Sequence, residues 1–338
     1  MTGGTADERG FARLENLSGA FAASRVLHAA VKLDLFAAVG NGATAGQVAA
    51  ARRLDARACE LLLNAMAALE LLEKRDGRFA LTAASRRWLL PDSPRHLGGM
   101  VEFEAASWPL WERLEEAVRG GQPVRTPDMY QNDPAEARRF ILAMHSLVRA
   151  RGDDRWVAEN LPLEGACRLL DVGSGPATYP MAMARAHPGL ECQVFDLPAT
   201  LSITREVLAA EGMSERIALH TGDYHTDPLP DGFDLVFLSN VLHGEDADAC
   251  QALLHRCAAA LKPGGRVVIK DHIMDRELVR PTGGAVFSLM MLLTTRGRDY
   301  GRHEYAAWLQ AAGMEAPTEM ALPSPPFSSS LLISRKPG

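Results

Sequence analysis

The residues that could do chemistry in this 338-residue chain begin with a turn of small residues after the apolar run RLLDV: Asp171-Val172-Gly173-Ser174-Gly175-Pro176-Ala177-Thr178. Glycines there let backbone approach a ligand closely, and a following helix offers its N-terminal N–H groups. Taken alone, Gly173 and Gly175 fit a tight strand-to-helix turn that binds nothing equally well. Asp196 closes the next apolar run, ECQVFD, where a carboxylate can accept both hydrogen bonds of a ribose diol. Asp223, followed by Tyr224, closes a third, RIALHTGD. One carboxylate at each successive run end suits a nucleoside with an amino-acid tail. It suits a dinucleotide less well, because the sixth position of G-x-G-x-x-G is Thr178, and no tyrosine is followed four residues later by lysine as a short-chain dehydrogenase requires. A nicotinamide-dependent oxidoreductase is the second reading.

His243 follows a fourth apolar run, FDLVFLSNVL, and so falls on the same edge. It is either a hydrogen-bonded structural residue or a proton acceptor for a bound hydroxyl. No metal is expected: His220 and His225 flank a run end without converging, and Cys59, Cys167, Cys192, Cys250 and Cys257 are scattered with no C-x-x-C pair.

Such residues need a scaffold that brings run ends together. From Arg168 the runs RLLDVG, ECQVFD, RIALHTGD, FDLVFLSNVL and GRVVIKD alternate with amphipathic segments around residues 181–187, 202–212 and 247–261. That alternation predicts an α/β fold, a doubly wound, mostly parallel sheet with its ligand edge at the strand C-termini. LLISRK, after the Pro/Ser-rich SPPFSSS, is expected as an edge strand. Residues 11–90 read instead as helices, broken by LLEKRDGRFALT, where Asp76-Gly77 is a two-residue hairpin turn. Helices followed by a hairpin predict a winged helix, and with it a third reading, a DNA-binding regulator that senses a nucleoside. The segment 56–72, ARACELLLNAMAALELL, is apolar on nearly every side, which predicts a packing or dimerisation helix. Asp133-Pro134 reads as the N-cap and first turn of a bridging helix. The expected division is 1–100 for a helical winged-helix dimerisation domain, 101–163 for interdomain helices and 164–338 for the cofactor-binding catalytic domain.

Composition narrows the partners. Apolar residues at 47% and charged residues at 23% describe an ordinary folded chain, and a net charge of −6 disfavours nucleic acid and anionic membrane. MTGGTADERGFARL lacks the apolar stretch of a signal peptide, and the longest apolar stretch, 285–293, is far short of the roughly 20 residues that span a bilayer. A cytoplasmic location with reduced thiols follows as the expectation.

Three stretches, LLDVGSGPATYPMAMARAHPGLECQVFDLP, GDYHTDPLPDGFDLVFLSNVLHGEDADAC and LKPGGRVVIKD, resemble in order and spacing the S-adenosylmethionine-dependent O-methyltransferases of plant phenolic and bacterial natural-product type. Those enzymes carry an N-terminal winged-helix dimerisation domain, and WPLWERLEEAVRGGQP resembles their interdomain helix. The resemblance implies S-adenosylmethionine as cofactor, a homodimer through the N-terminal half and a small aromatic hydroxyl as substrate. It implies that Gly173, Ser174 and Gly175 bound the methionine part, that Asp196 and Leu197 serve the ribose, and that Asp223 and Tyr224 hold the adenine. Ser239 stands where the family often has Lys or Arg near the adenosine. The interval of seven from His243 to Cys250 matches the family's base motif, with Gly244-Glu245 in place of its usual Asp-Trp. Asp271 and Asp299 fall where the family carries acids, usually Glu, flanking the base. Met290, Met291 and Thr294 fall on its substrate wall, Met144 and His145 on the helix opposite, and Trp108 is a further residue of that kind.

Overall fold

The computed structural model describes residues 6–323 and 329–338; the Pro/Ser-rich residues 324–328 and the first five of the N-terminal segment lie outside them. The chain forms two compact units, one ending at Ser107 and the other beginning at Trp108. The first runs α1 (Ala6–Lys32), α2 (Leu35–Val39), β1 (Ala43–Thr44), α3 (Ala45–Arg52), α4 (Ala56–Ala68), β2 (Leu72–Arg75), β3 (Arg78–Leu81), α5 (Ala83–Trp88) and α6 (Gly98–Ala106). Arg75 pairs with Arg78, so Asp76 and Gly77 are the whole hairpin loop. Both take positive φ, 50° and 73°, as the twist-matched two-residue turn demands. The strands, in order β1-β3-β2, form the wing of the winged helix.

The reading of 56–72 needs correction. α4 stops at Ala68, because Glu70 takes φ 58° and turns the chain into β2. It buries one stripe, Cys59, Leu63 and Met66, and leaves Leu61 exposed. A surface helix of a small unit has only one face to bury. α1 behaves likewise: its C-terminal part enters the core through Ala30, while Phe11, Leu14, Leu17 and Phe21 are 58% to 69% exposed.

The second unit opens with α7 (Trp108–Trp111), α8 (Leu114–Gly120), α9 (Pro134–Arg151) and α10 (Asp153–Asn160). The Asp133 side chain caps α9, accepting from Ala135 N–H at 2.8 Å, with Pro134 in the first turn. Then follow β4 (Arg168–Val172), α11 (Thr178–Ala186), β5 (Glu191–Asp196), α12 (Pro198–Ala210), β6 (Ile217–Thr221), β7 (Phe233–Ser239), a 3-10 turn (Leu242–Gly244), α13 (Ala247–Ala260) and β8 (Leu261–Asp271). The unit ends with α14 (Thr282–Thr294), α15 (Arg302–Ala311), β9 (Thr318–Ala321) and β10 (Ser330–Arg335).

The seven strands lie in the order β6-β5-β4-β7-β8-β10-β9, parallel from β6 to β8. β10 is antiparallel to both its neighbours and sits between β8 and β9, so LLISRK is interior and β9 is the edge. The reason is apolar on both sides: Leu331 packs into the core cluster of one sheet face and Leu332 into that of the other. The strand order reverses between β4 and β7, the switch point where ligands of such sheets bind.

Candidate active site

Gly173 and Gly175, at φ 68° and 59°, turn the chain sharply out of β4 at that switch point. A Cβ on residue 173 would stand 2.9 Å from Val241 Cγ2 and 3.6 Å from the Tyr224 ring, so the space over the turn exists only with glycine there. Asp196 braces the turn from the end of β5: Gly175 N–H donates to its Oδ2 at 2.8 Å and Leu197 N–H to its Oδ1 at 2.7 Å. Burial pushes the Asp196 carboxyl up to about 6, against the pull of those two backbone donors and of Thr200. Asp171 lies deeper, at 1% exposure; the Ser174 hydroxyl donates to its Oδ2 at 2.6 Å, while its Oδ1 has no hydrogen-bond partner. Burial, opposed by Ser174 and reinforced by the charge of Asp196, lifts this carboxyl to about 8. The turn thus offers cleared space beside two desolvated carboxyl groups, whose oxygens a ligand rich in hydroxyl and ammonium donors would satisfy.

At the next strand end, Asp223 Oδ1 accepts His225 N–H at 2.8 Å, and the Tyr224 hydroxyl donates to Glu245 Oε1 at 2.7 Å. The Tyr224 ring, rather than its hydroxyl, faces the glycine turn. Ser239 closes β7 and donates to Asn240 Oδ1 at 3.3 Å; that oxygen also accepts from Lys270 Nζ at 2.9 Å. His145, on α9, has its Nδ1 2.8 Å from Thr178 Oγ1 in the first turn of α11. Burial and the nearby Arg149 hold this imidazole down at about 4, so it is neutral. His145 is thus tied to the helix that follows the glycine turn.

His243, Asp271 and Asp299 converge. His243 sits on the 3-10 turn between β7 and α13, and its Nδ1–H donates to Asp271 Oδ1 at 2.7 Å. A carboxylate can only accept, which assigns the ring hydrogen to Nδ1 and leaves Nε2 as the basic nitrogen. Burial alone would weaken this base; the charge and hydrogen bond of Asp271, with Asp299 beyond, outweigh burial and hold His243 above the ordinary imidazole value. Asp271 moves the other way: burial raises it, but His243 and His272 pull it below the usual carboxylate range. The Tyr305 hydroxyl donates to its second oxygen at 3.2 Å.

Asp299 is nearby but not hydrogen-bonded to His243. Its Oδ1 is 3.6 Å from His243 Nδ1, and its Oδ2 accepts from His272 Nδ1–H at 3.1 Å. His272 and Phe287 are the residues sequence reading missed; the Phe287 ring stands edge-on to both imidazoles, 5.1 and 5.2 Å between centroids. Ligand atoms of His243, Asp271, His272 and Asp299 all fall within 4.8 Å of one another. Both Nδ1 atoms are already committed to carboxylates, so the arrangement is two His–Asp pairs. The His243–Cys250 spacing has a structural reason as well, since the Cys250 thiol donates to Leu242 O at 3.2 Å from behind the turn.

Of the residues expected on the acceptor's side, Met290, Met291 and Thr294 lie on α14, which packs against the His243 turn and against α7, the helix of Trp108. Met291 is buried, Met290 and Trp108 are half-buried, and Thr294 spends its hydroxyl on Met290 O at 2.7 Å. Met144, half-buried, lies beside His145 on α9.

A small-residue turn at the switch point, desolvated carboxylates on neighbouring strand ends and a carboxylate-held imidazole one strand away define a Rossmann-like enzyme that uses a nucleoside-containing donor. Residues 111–315 match the family model of the O-methyltransferase domain, and residues 15–91 match that of the O-methyltransferase dimerisation domain. The chain is 36% identical over 306 residues to the 3-hydroxy-5-methyl-1-naphthoate 3-O-methyltransferase of Streptomyces sahachiroi, covering 89% of each. It is 30% identical over 338 residues to the tetracenomycin polyketide synthesis 8-O-methyl transferase of Streptomyces glaucescens, covering 97% of this chain and 98% of that one. The crystal structure of human N-acetylserotonin methyltransferase in complex with S-adenosylmethionine superposes with a TM-score of 0.87 at 26% identity, over 99% of this chain and all of that one. The chain belongs to the O-methyltransferase family and is an S-adenosylmethionine-dependent O-methyltransferase. Family membership sets aside the oxidoreductase and DNA-regulator readings.

Proposed function

We propose that the enzyme methylates a hydroxyl of a small, flat aromatic acceptor, phenolic or polyketide-like, with His243 as general base, Asp271 as its hydrogen-bonded orienting acid and Asp299 as a second charge. The observation that carries this reading is the buried 2.7 Å bond from His243 Nδ1 to Asp271, which leaves Nε2 free of its proton at the ligand edge of the sheet. The naphthoate and tetracenomycin names of the two relatives support the acceptor class. Gly173, Ser174, Gly175, Asp196, Leu197, Asp223, Tyr224 and Ser239 would hold the cofactor; Trp108, Met144, Met290, Met291 and Thr294 would shape the acceptor's side, methionine being adaptable to flat apolar ligands.

S-Adenosylmethionine supplies an electrophilic methyl group when bound. The chain's part is to align the hydroxyl and remove its proton. A phenol near pKa 10 and an imidazole near 6.5 are mismatched by about 3.5 units. Asp271 narrows that gap by raising His243, and it stabilises the imidazolium as the hydroxyl proton moves to Nε2 and the oxygen takes the methyl. We infer a homodimer, which the dimerisation-domain match over residues 15–91 supports, and place the exposed stripe of α1 at its contact. No helix among the described residues is long and apolar enough to cross a membrane, and the five cysteines are free thiols, which supports a reducing, cytoplasmic setting.

The test is incubation with labelled S-adenosylmethionine and a panel of phenols, naphthoates and polyketide aromatics, followed by identification of the labelled product. On the acceptor so found, His243→Ala should bind S-adenosylhomocysteine as the wild type does and lose about 10²–10⁴-fold in kcat. The wild-type rate should rise with pH through a value above the ordinary imidazole pKa, and that limb should vanish in the variant. Near-full activity of His243→Ala would remove the base assignment.

A further inference from the structure

We propose that His272 is a positioning residue for methyl transfer: it grips one oxygen of Asp299 so that the other stays as a fixed negative charge beside the base. This rests on the reading of His243 as that base. Asp299 is 1% exposed, and its Oδ1 has no hydrogen-bond partner. A buried carboxylate oxygen in that state is costly unless a nearby positive charge compensates it. The group it approaches is His243 Nδ1 at 3.6 Å, whose hydrogen is already given to Asp271. Asp299 therefore acts on the base through charge alone, and only while it is ionised.

Several features fix it in that role. His272 Nδ1–H donates to Oδ2 at 3.1 Å, and the Asp299 backbone N–H donates to Ser288 Oγ at 3.1 Å. α14 clears the space with Gly284, where a Cβ would come within 3.0 Å of Asp299 Oδ2 and 3.3 Å of His272 Cβ. His272 is tied to the base's other acid too, since its backbone N–H donates to Asp271 Oδ1 at 2.9 Å. Around the base stand Asp271 and Lys270 from β8, His272 just beyond, Asp299 after α14, Tyr305 from α15 and Cys250 from α13. Burial and the charge of Asp271 hold Asp299 above the usual carboxylate range, and the His272 hydrogen bond is the largest influence working against them to keep it ionised.

The experiment compares pH–rate profiles of wild type, His272→Gln, His272→Asn and Asp299→Asn, with S-adenosylhomocysteine affinity and the melting temperature as controls on folding. Losing a negative charge at this distance should lower the acid limb by about one pH unit. The shift is expected in His272→Gln, whose amide cannot reproduce the Nδ1 donor, and in Asp299→Asn. The double variant His272→Gln/Asp299→Asn should shift no further than either single one. His272→Asn, whose amide can stand in for Nδ1–H, should restore the wild-type limb. NMR titration of the labelled His243 imidazole in the cofactor-free protein should move with the kinetic limb. A limb unmoved in folded, ligand-binding His272→Gln, or equal shifts in His272→Gln and His272→Asn, would overturn the proposal. If His243→Ala kept the limb, the reading of the base would fall instead; if His272→Gln does not fold, Asp299→Asn and the NMR titration decide.

Discussion

At the scale of single residues, the nucleoside end carries charge that its own surroundings poorly solvate. Asp196, raised to about 6 by burial, is half-protonated near that pH when no ligand is bound. Ribose hydroxyls donate more strongly to the anion than to the neutral acid, so a bound cofactor would lower this pKa, and affinity should fall as pH drops through about 6. Calorimetry with S-adenosylhomocysteine between pH 5 and 8 should show that fall in the wild type and a flat response in Asp196→Asn. Asp196→Ala should weaken binding by about 1–3 kcal/mol, and an unchanged Kd would place the nucleoside elsewhere. The placement of Asp196, the glycines and His243 was legible because each stands at the end of a continuous apolar run, where a strand buried on both faces stops and a turn begins. The contact of His145 with Thr178 was not legible: the two are 33 positions apart, and nothing local marks the pair. His272 was hidden by its neighbour, since Asp271 accounts for the strand end and the second imidazole gains meaning only once Asp299 arrives from beyond α14.

At the scale of elements, the part that matters most is the short turn carrying His243, which is clamped from several directions. The Asp246 side chain caps α13 just after it, accepting Ala249 N–H at 3.0 Å, and the Tyr300 hydroxyl donates to Glu245 O at 2.6 Å. The loop after α14 presses on it through Gly297, where any Cβ would overlap His243 O and the Glu245 backbone. Gly297→Ala should therefore displace the base without touching the glycine turn: kcat should drop by at least tenfold, while S-adenosylhomocysteine affinity stays within twofold. Equal losses in both would show that the turn and the nucleoside cleft move together. Elements with local chemistry were readable, as Asp76-Gly77 and Asp133-Pro134 show, because turn and cap geometry is set by a few adjacent residues. The place of β10 was not: a short apolar run reads alike at an edge and in an interior, and only the burial of Leu331 and Leu332 on opposite faces separates the two.

At the scale of the whole molecule, α1 is 27 residues long, about 40 Å, and presents Phe11, Leu14, Leu17 and Phe21 to solvent. Their spacing of three, three and four puts them on one stripe, more apolar surface than an isolated chain keeps in water. Light scattering of dilute protein should give twice the chain mass, and Leu14→Glu with Leu17→Glu should give monomer; a wild-type monomer would remove the homodimer. The placement of α14 bears on how such an enzyme diversifies. The proposed base and orienting acid and the glycine turn all hang from β4, β7 and β8, strands locked in the sheet, whereas Met290, Met291 and Thr294 ride on a helix that packs beside the His243 turn and on α7 and α8. Mutations along that helix can drift through natural variation or directed evolution toward new aromatic shapes while the proton-handling machinery is inherited intact, provided Gly284 and Phe287, where the helix meets the two imidazoles, are left alone.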